Sequence, residues 1–435
     1  MKKFFLKSLG CKQNQLEGQI IEQELLLLGY KKAKNLQDAD FYVLNSCSVT
    51  SHSDSQANYL LNLAKRKNPR IKTLLTGCCA QTYLQHENFD YSNIDLVLGN
   101  IEKMNIEQYI EKLFDNEQSF FVQNIMDIKN FENKILNNPQ TTRVNIKIQD
   151  GCNNRCAYCI IPYARGNSRS NSIENILKQI EIVISKDIKE IVLTGIHIGQ
   201  WGFEWGLNLI DLLKEIEKTA IPRYRLGSLY VNELDDEIIE FLSKSKKFCP
   251  HFHLSLQSLC DKTLKNMNRK YSVFEAKNVI KKLKKAFNLA FLGCDIIVGF
   301  PNETDEDFLE TYENLKELEL SYIHCFPYSK REKTPAFNMP QVQEKVKTER
   351  AKKVTELCEK LYNKFVEQNI GVEHEILVEK KSSKTGLYSA VTKNYLKTYI
   401  KSDDPNLRHK LLNIKYCNNI IYFWYIELKF VFIYM

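Results

Sequence analysis

Short apolar runs of strand length alternate with helical patterns along the first part of the chain. The runs cover residues 2–6, 41–45 and 73–76. Between the first two runs, the segment from Gly18 to Leu28 carries apolar residues at helical spacing and ends before Gly29. Strands that alternate with helices form βαβ units, so this part of the chain predicts a parallel sheet. A polar, Asn-rich stretch from Asn130 to Thr142 then predicts a linker.

A second alternating series follows the linker. Its six strand candidates are Val144–Ile148, Glu190–Leu193, Tyr224–Gly227, His251–Leu256, Gly293–Val298 and Tyr322–Phe326. Helical patterns separate them, for example Ser172–Ser185, Leu207–Lys218 and Val273–Ala286. Six βα repeats over about 200 residues predict a complete or partial barrel, in which ligands lie on the loops after the carboxyl ends of the strands.

The pattern changes again from Gly371 onward. Shorter strand-like pieces follow: Glu375–Val378, Leu387–Val391 and Lys397–Ile400. This segment holds ten Lys and Arg against six Asp and Glu, a formal charge of +4. It predicts a small β module. The module could contact phosphates, or it could be a solvated basic module without a ligand.

Composition narrows the class of protein. Hydrophobic residues make up 43% and charged residues 26% of the 435 positions, which excludes a disordered or collagen-like chain. The first apolar run is too short for a signal peptide, and the apolar stretch from Ile420 to Met435 is interrupted and shorter than the roughly 20 residues of a spanning helix. We therefore expect a soluble cytoplasmic protein with no membrane partner. The net charge of +8 permits RNA as a partner but does not by itself argue for it.

Thirteen cysteines in such a compartment favour metal ligation over disulfides. Cys152, Cys156 and Cys159, here called the barrel triad, have the spacing C-x3-C-x2-C directly after a strand candidate. A structural zinc site requires four protein ligands, usually in two separated pairs. Three close cysteines instead favour an iron–sulfur cube with one iron left open for a substrate or cofactor. The alternative, three buried core cysteines, is disfavoured by the polar Asn/Arg loop.

Three further cysteines each follow a predicted strand of the first series. Cys11, Cys47 and Cys78 are here called the N-terminal triad. The carboxyl ends of parallel strands lie on one edge of a sheet, so these remote cysteines can meet. Converging thiolates again fit a cluster with an open position. Spacing alone is equally compatible with unrelated buried cysteines.

The loop from Gly151 to Cys159 resembles the cluster motif of the radical SAM superfamily. The resemblance implies that the barrel triad holds a 4Fe-4S cluster whose open iron binds the amino and carboxylate groups of S-adenosylmethionine (SAM). It also implies that reduction of the cluster splits SAM and yields a 5′-deoxyadenosyl radical. Tyr158 occupies the aromatic position that flanks the adenine in that superfamily. In the alternative interpretation Tyr158 only packs within the loop.

The surroundings of the N-terminal triad resemble the N-terminal domain of methylthiotransferases. The three motifs read GCKQNQ, NSCSVT and GCCAQ, and the first two are typical of the branch that modifies threonylcarbamoyl-adenosine in tRNA. The resemblance implies that the triad holds an auxiliary 4Fe-4S cluster. The third motif selects Cys78 over Cys79, which is then expected to be a small buried hydrophobe.

Further family matches extend along the barrel. They are LTG at 193–195 with Gly199 and Gly202, RLGS at 225–228, HFHLSLQS at 251–258 with Met267, Arg269 and Tyr271, DIIVGFPNET at 295–304 and HCFPYSKR at 324–331. The resemblance implies cofactor-binding roles for six residues: Tyr158, Thr194, Gly195, Gln257, Arg269 and Asp295. The alternative is that Gln257 and Asp295 are satisfied polar groups at strand ends and that the glycines only make turns.

The chain departs from the family pattern at three positions where the family has Gly: Leu259, Asn302 and Lys333. Asn tolerates left-handed backbone geometry, so the change at Asn302 is mild. The resemblance extends from Lys2 to Phe365 and fades beyond Gly371. There, Glu379, Thr385-Gly386 and Asn394-Tyr395 resemble the RNA-binding TRAM β-barrel, whereas the tail from Leu407 lacks that pattern, most clearly over 420–425.

Residues and resemblance together predict an α/β protein of three domains. An N-terminal parallel-sheet domain with the auxiliary cluster spans 1–128. A central partial (βα)6 radical SAM barrel spans 138–368. A small TRAM-like β module, divergent at its end, spans 371–435.

The resemblance implies a tRNA methylthiotransferase that uses two 4Fe-4S clusters and SAM. It would add a methylthio group to C2 of N6-threonylcarbamoyladenosine at position 37, beside the anticodon. The expected partners are tRNA, an electron donor such as a flavodoxin or ferredoxin, and a sulfur source. The alternatives are methylthiolation of N6-isopentenyladenosine in tRNA or of a ribosomal-protein aspartate, and a non-catalytic iron–sulfur or zinc RNA-binding protein.

Overall fold

The computed structural model describes residues 1–83, 90–417 and 420–422. Its sheets fall into three consecutive parts of the chain, and the exact domain bounds given above stay predictions. Within these described ranges, no helix combines the length and the apolar character that a membrane span requires.

The N-terminal part is built on a six-stranded parallel sheet with the strand order β2-β1-β3-β4-β5-β6. The strands are β1 (Lys3–Ser8), β2 (Lys31–Lys32), β3 (Phe41–Ser46), β4 (Lys72–Gly77), β5 (Leu96–Leu98) and β6 (Ser119–Phe121). The helices are α1 (Lys12–Leu27), α2 (Ser51–Lys67) and α3 (Cys78–Tyr83). Strand β3 is buried along its whole length because helices cover both faces of the sheet. The predicted parallel sheet is confirmed.

The central part is an open barrel of parallel strands. Its strands are β7 (Arg143–Lys147), β8 (Gln149–Asp150), β9 (Arg169–Ser170), β10 (Glu190–Thr194), β11 (Arg223–Leu226), β12 (Ser228–Leu229), β13 (His251–Gln257), β14 (Phe291–Val298) and β15 (Tyr322–Pro327). Its helices are α4 (Ile161–Arg165), α5 (Ile173–Ser185), α6 (Leu209–Lys218), α7 (Asp236–Lys244), α8 (Asp261–Asn266), α9 (Val273–Ala286), α10 (Asp305–Leu318) and α11 (Glu344–Asn369).

The barrel strands follow the order β7-β10-β11 and then β12-β13-β14-β15, and only Gly227 separates β11 from β12. All six predicted strand segments are present, and the predicted α/β class with a partial barrel is confirmed. One large apolar core lies between this curved sheet and the surrounding helices. The short antiparallel pair of β8 and β9 stands at the carboxyl end of β7 and carries the cysteine loop.

The C-terminal part is a five-stranded sheet with the order β19-β16-β17-β18-β20. Its strands are β16 (Glu373–Lys381), β17 (Tyr388–Thr392), β18 (Lys397–Lys401), β19 (Leu411–Lys415) and β20 (Ile420–Tyr422). The three predicted strands are present. The tail from Leu407 contributes β19, which pairs antiparallel with β16, and its departure from the TRAM pattern stays a prediction. Residues 423–435, the rest of that tail, lie outside the described residues.

The turn between β17 and β18 closes the amino end of the barrel. Arg225 donates hydrogen bonds to the carbonyl oxygens of Lys393 at 2.6 Å and Thr392 at 2.7 Å. The Tyr395 ring lies 5.5 Å from the guanidinium of Arg143 and 5.2 Å from that of Arg225. The C-terminal part is therefore docked on the barrel, at the end opposite the cysteine loop.

Candidate functional site

The loop that carries the barrel triad is folded tightly on itself. Gly151 has a φ of +70°, and a Cβ on it would lie 2.0 Å from the carbonyl oxygen of Asn167, so only glycine fits there. The Cys152 amide donates to the Gly166 carbonyl at 3.0 Å, and Arg155 donates to the Cys152 carbonyl at 2.7 Å. Cys152 and Cys156 are buried by this fold, and Cys159 is half-buried.

The thiols of the barrel triad interact with one another. Burial raises the pKa of Cys159 to about 12, and the neighbouring Cys156 and Cys152 thiols act in the same direction. Such a site disfavours free thiolates, whereas a bound metal deprotonates a coordinating thiol outright. The donor chemistry of this loop therefore fits a metal cluster.

Two basic side chains contact sulfur atoms of the barrel triad. Arg269 Nη1 lies 3.6 Å from Cys156 Sγ, and His197 Nδ1 lies 3.5 Å from Cys152 Sγ. The guanidinium of Arg269 stacks over the ring of Tyr230 at 4.0 Å. Its Nε is buried and has no hydrogen-bond partner within the described part of the chain. A buried, unpaired guanidinium N–H beside a cluster loop is a donor available to a ligand.

His197 is held by a carboxylate on its other side. Its Nε2 is paired with Glu233, and its ring stacks on Tyr230 with a centroid distance of 4.2 Å. Burial by itself lowers the pKa of His197, but the hydrogen bonds to Cys152 and Glu233 outweigh it and raise that pKa to about 9. Gly199 explains the close packing here, because a Cβ on it would lie 2.1 Å from the Glu233 carboxyl carbon.

The other cofactor-binding candidates lie at several depths of the barrel. Thr194 is the buried last residue of β10, and a Cβ on Gly195 would lie 2.9 Å from the Gln149 carbonyl oxygen. Gln257 ends β13 with a φ of +64°, beside a register shift in the β13–β14 pairing. Non-glycine residues rarely adopt this backbone geometry, and it clusters at functional sites.

Asp295 and Tyr158 each contact another side chain of the barrel: Asp295 contacts His253, and Tyr158 contacts Phe300. Asp295 lies midway along β14 and is 3.3 Å from His253 Nε2, so it lies deeper in the barrel than the strand-end candidates. The ring of Tyr158 meets that of Phe300 edge-on with a centroid distance of 6.5 Å. The structure thus brings Arg269 to the barrel triad, whereas the roles proposed for the other candidates stay predictions.

The N-terminal triad lies along one edge of the first sheet. Cys11 follows β1 by three residues, and Cys47 and Cys78 directly follow β3 and β4, whose last residues are paired in register. A Cβ on Gly10 would lie 2.6 Å from Cys47 Sγ, so the first two cysteine loops touch. Burial raises the pKa of Cys47 to about 11, with Cys78 and Cys11 adding to the effect. The parallel sheet therefore brings the three remote thiols together.

Cys78 and Cys79 have different surroundings. Cys78 Sγ accepts a hydrogen bond from Arg165 Nε at 3.3 Å. Cys79 is fully buried in the apolar core of the first sheet. Their position directly after β4 suggests that the two side chains alternate as in a strand. Both residues instead belong to α3, so their side chains are about 100° apart around the helix axis.

A buried charge network connects the two triads. Arg165 ends α4, the helix directly after the cysteine loop, and it pairs with Glu17 of α1 at 2.5 Å. Glu17 also pairs with Lys103 at 2.6 Å and Lys147 at 2.8 Å. Burial opposes ionisation of Glu17, but these three cations hold its pKa well below the usual range. One ionised carboxylate thus ties the N-terminal sheet to the barrel.

Comparison with known proteins gives the family. Residues 146–315 match the radical SAM superfamily, and residues 3–99 match the uncharacterized protein family UPF0004. The threonylcarbamoyladenosine tRNA methylthiotransferase MtaB of Aquifex aeolicus (strain VF5) is 37% identical over 382 residues, covering 86% of this chain and 92% of that protein. The chain belongs to the radical SAM methylthiotransferase family. The tRNA-2-methylthio-N(6)-dimethylallyladenosine synthase of Clostridium novyi (strain NT) is 33% identical over 392 residues, covering 87% of this chain and 86% of that protein.

A solved structure shares the fold of this methylthiotransferase. The radical S-adenosylmethionine methyltransferase TsrM of Kitasatospora setae, with cobalamin and a [4Fe-4S] cluster bound, matches it with a TM-score of 0.57 and 11% identity. The match covers 77% of each chain. At that identity the likeness concerns the fold alone, and it supports the α/β architecture described above.

The cysteines of the two triads are the kind of ligand that holds iron–sulfur clusters in proteins. Over residues 1–83, 90–417 and 420–422, no group of three His, Cys, Asp or Glu side chains is arranged to hold one metal ion. Each cysteine of a cubane binds a different iron atom, so cluster ligands need not converge on one point.

Sequence reasoning missed the residues that surround the triads in this methylthiotransferase. Arg165 stands six residues after the last cysteine of the barrel triad, a position that could have drawn attention to it. Glu17 lies on the same face of α1 as the buried Gln13 and Ile21, so a charged residue on a buried helical face was the available signal. His197 and Glu233 are far apart in sequence, and their pairing required the fold.

Proposed function

We propose that this methylthiotransferase adds a methylthio group to C2 of N6-threonylcarbamoyladenosine at position 37 of tRNA. The observation that carries the proposal is the placement of two cysteine triads in one chain, joined by Arg165. This residue follows the barrel triad in sequence and reaches Cys78 of the N-terminal triad in space. A protein with a single zinc or iron–sulfur site would not need two such triads.

The substrate position explains why the protein needs clusters. C2 of the purine bears an unactivated C–H bond without an acidic proton, so general acid–base catalysis cannot open it. A 4Fe-4S cluster with an open iron supplies, together with SAM, radical chemistry that can break such a bond. The barrel triad is proposed to hold this cluster, and the N-terminal triad is proposed to hold the auxiliary one.

The chain's own residues would orient SAM. Arg269 offers a positive charge beside Cys156 and an Nε–H that has no partner among the described residues, which suits a carboxylate. Thr194 and Gly195 stand at a narrow strand end, where a Cβ on Gly195 would lie 2.9 Å from the Gln149 carbonyl oxygen, and they are proposed to contact the cofactor. Tyr158, Gln257 and Asp295 complete the proposed set of cofactor-binding residues.

The β module is proposed to provide tRNA affinity. Along β18, Lys397, Tyr399 and Lys401 face solvent, and Tyr399 is 50% exposed. Lysines that flank an exposed aromatic ring suit phosphate contact with base stacking.

The reaction also needs electrons and sulfur. An electron donor such as a flavodoxin or ferredoxin would supply the electrons, and a separate sulfur source would supply the sulfur. We propose that the protein works in the cytoplasm.

A second candidate substrate is N6-dimethylallyladenosine in tRNA. The Clostridium novyi relative named for that product is 33% identical, against 37% for the relative named for the threonylcarbamoyl substrate. The GCKQNQ and NSCSVT motifs favour the threonylcarbamoyl nucleoside.

Mass spectrometry of tRNA nucleosides tests the substrate directly. The chain is expressed in a host that lacks both kinds of tRNA methylthiotransferase, with a Cys78→Ala variant as the control. We expect the methylthio form of threonylcarbamoyladenosine to appear with the wild-type chain and not with the variant. Appearance of the methylthio form of dimethylallyladenosine would transfer the proposal to the second candidate. Absence of both would overturn it.

A further inference from the structure

The network around Glu17 and Asp150 contains more buried positive than negative charge. Lys103, Lys147, Arg165 and Arg169 contact these two carboxylates at 2.5–3.6 Å. The side chains of all six residues are at most 10% exposed. Four cations against two carboxylates leave an excess of two positive charges within this network. Buried charge without compensation is costly, so this surplus calls for an anionic group nearby.

One of these four cations, Arg165, directly contacts the N-terminal triad. Arg165 has three kinds of partner: Nη1 and Nη2 contact the Glu17 carboxylate, Nη2 reaches Asn14 Oδ1 at 3.3 Å, and Nε donates to Cys78 Sγ at 3.3 Å. It is only 1% exposed. Cys78 Sγ thus accepts a hydrogen bond from a buried guanidinium, and solvent does not screen the positive charge of Arg165.

The same network shapes the other two cysteine loops. Lys103 Nζ donates to Asn14 Oδ1 at 3.2 Å and to Asn45 Oδ1 at 3.3 Å. Asn14 in turn donates to the carbonyl oxygens of Leu9 at 2.8 Å and Ser46 at 3.0 Å, next to the Cys11 and Cys47 loops. Lys103 is therefore connected, through Asn14, to the backbone beside the Cys11 and Cys47 loops.

A cluster on this triad would match the surplus. An oxidised 4Fe-4S core carries a charge of about +2, so with three thiolate ligands the cluster has a net charge of about −1. Reduction by one electron changes this net charge to about −2. Buried cations stabilise the more negative, reduced state more than the oxidised state. Hydrogen bonds to the ligand sulfur and local charge are the main levers on the potential of such clusters.

We infer that Arg165 is a positioning residue that raises the reduction potential of the auxiliary cluster through Cys78 and so links that cluster to the barrel. The inference rests on the proposed assignment of this cluster to the N-terminal triad. Because Arg165 belongs to the helix that leaves the barrel triad, any shift of that loop on cofactor binding would be transmitted to Cys78.

The test is a redox titration of the full chain with both clusters reconstituted, followed by electron paramagnetic resonance. A Cys152/Cys156/Cys159→Ala chain identifies the signal of the auxiliary cluster. Arg165→Met should make that cluster harder to reduce, lowering the reduced-to-oxidised ratio at fixed solution potential about tenfold, or ~59 mV for one electron. Arg165→Lys keeps the charge and should recover part of the shift. The potential of the barrel cluster should stay unchanged.

A second variant reverses the sign. Glu17→Gln removes a negative charge from the same network and keeps Arg165, so the auxiliary cluster should become easier to reduce. Greater solvent access from loosened packing would move the potential in the same direction in both variants, whereas the charge effect has opposite signs. If Arg165→Met fails to hold the cluster, Glu17→Gln still decides the matter.

The outcomes separate this inference from the proposed function. Unchanged potentials, or shifts of equal sign, in variants that retain both clusters would overturn the role of Arg165 alone. If the Cys11/Cys47/Cys78→Ala chain retains the full iron content of the wild type, the auxiliary-cluster assignment itself fails, and the inference fails with it.

Discussion

Arg269 Nη1 lies 3.6 Å from Cys156 Sγ, and the two residues are 113 positions apart in the sequence. Arg269 is held there by the Tyr230 ring on one side and by the Ser255 carbonyl oxygen, which accepts a hydrogen bond from its Nη2. Its Nε remains a buried donor with no partner inside the described ranges. The protein itself thus holds the positive charge and the Nε–H of Arg269 in position beside the barrel triad.

Arg269→Gln should therefore weaken SAM binding while the barrel cluster is retained. The loss of a hydrogen bond to a charged group costs about 1.5–3 kcal/mol, a tenfold to more than hundredfold rise in Kd. Equilibrium binding of SAM to anaerobic protein, with iron content measured in parallel, checks this. Lys270→Gln is the matched control, because Lys270 is exposed and bonds to Asn268. Equal SAM affinity of Arg269→Gln and the wild type would exclude a binding role.

Cys78 and Cys79 give a second matched pair. Cys78→Ala should remove the auxiliary cluster, about four iron atoms per chain, because it deletes one of the three thiolates proposed to hold it. Cys79→Ala should keep the iron and lose roughly 1 kcal/mol of stability for a small cavity in the core. Iron analysis and thermal unfolding of both variants are the measurements. Loss of iron from the Cys79 variant alone would show that the wrong neighbour was chosen.

Two of the departures from family glycines predict different stability effects. Asn302 and Lys333 both have a φ of +65°. Lysine pays the full left-handed strain, whereas Asn tolerates it. Replacement by glycine removes the left-handed strain but makes the unfolded chain more flexible, and the second effect offsets part of the first. On balance, Lys333→Gly should stabilise the protein by about 0.5–1 kcal/mol, and Asn302→Gly should change its stability by close to zero. Denaturant unfolding of the apo-protein measures both, and a destabilised Lys333→Gly variant would contradict the strain argument.

The fold was largely predictable because local patterns and topology agree. The barrel strands and the first sheet follow from alternating strand and helix patterns, and the meeting of Cys11, Cys47 and Cys78 follows from the single carboxyl edge of a parallel sheet. Strand β19 was not identified from the sequence, because a five-residue run is a weak signal by itself and the pairing with β16 decides its conformation.

Side-chain environments were less predictable, because contacts between distant segments determine them. The sequence makes Tyr388, Tyr395 and Tyr399 of the β module candidates for stacking on RNA bases, but of these three only Tyr399 is exposed. Tyr388 is buried and donates to the Asp404 carbonyl at 2.8 Å, and Tyr395 is packed against Arg143 and Arg225. The turn between β17 and β18 also closes the barrel, so a chain truncated at Gly371 would lose barrel contacts together with any RNA affinity.

Point variants on β18 therefore test tRNA binding better than truncation. A Lys397→Gln/Tyr399→Ala/Lys401→Gln chain should bind tRNA more weakly, and the slope of log affinity against log salt should become shallower by about 0.7–0.9 per lost phosphate contact. Lys281→Gln/Lys285→Gln on α9 is the control for a basic surface elsewhere on the protein. If the α9 variant, and not the β18 variant, changes the salt slope, the RNA contact belongs to the barrel surface.

The most direct test of the account is anaerobic reaction of the reduced protein with SAM and tRNA that carries threonylcarbamoyladenosine. Products are followed by mass spectrometry in the wild type and in the two triple Cys→Ala chains. The wild type should form 5′-deoxyadenosine and methylthiolated nucleoside. The chain without the N-terminal triad should still form 5′-deoxyadenosine but no methylthiolated nucleoside, and the chain without the barrel triad should form neither. Methylthiolated nucleoside from either triple variant would contradict the division of roles between the two triads.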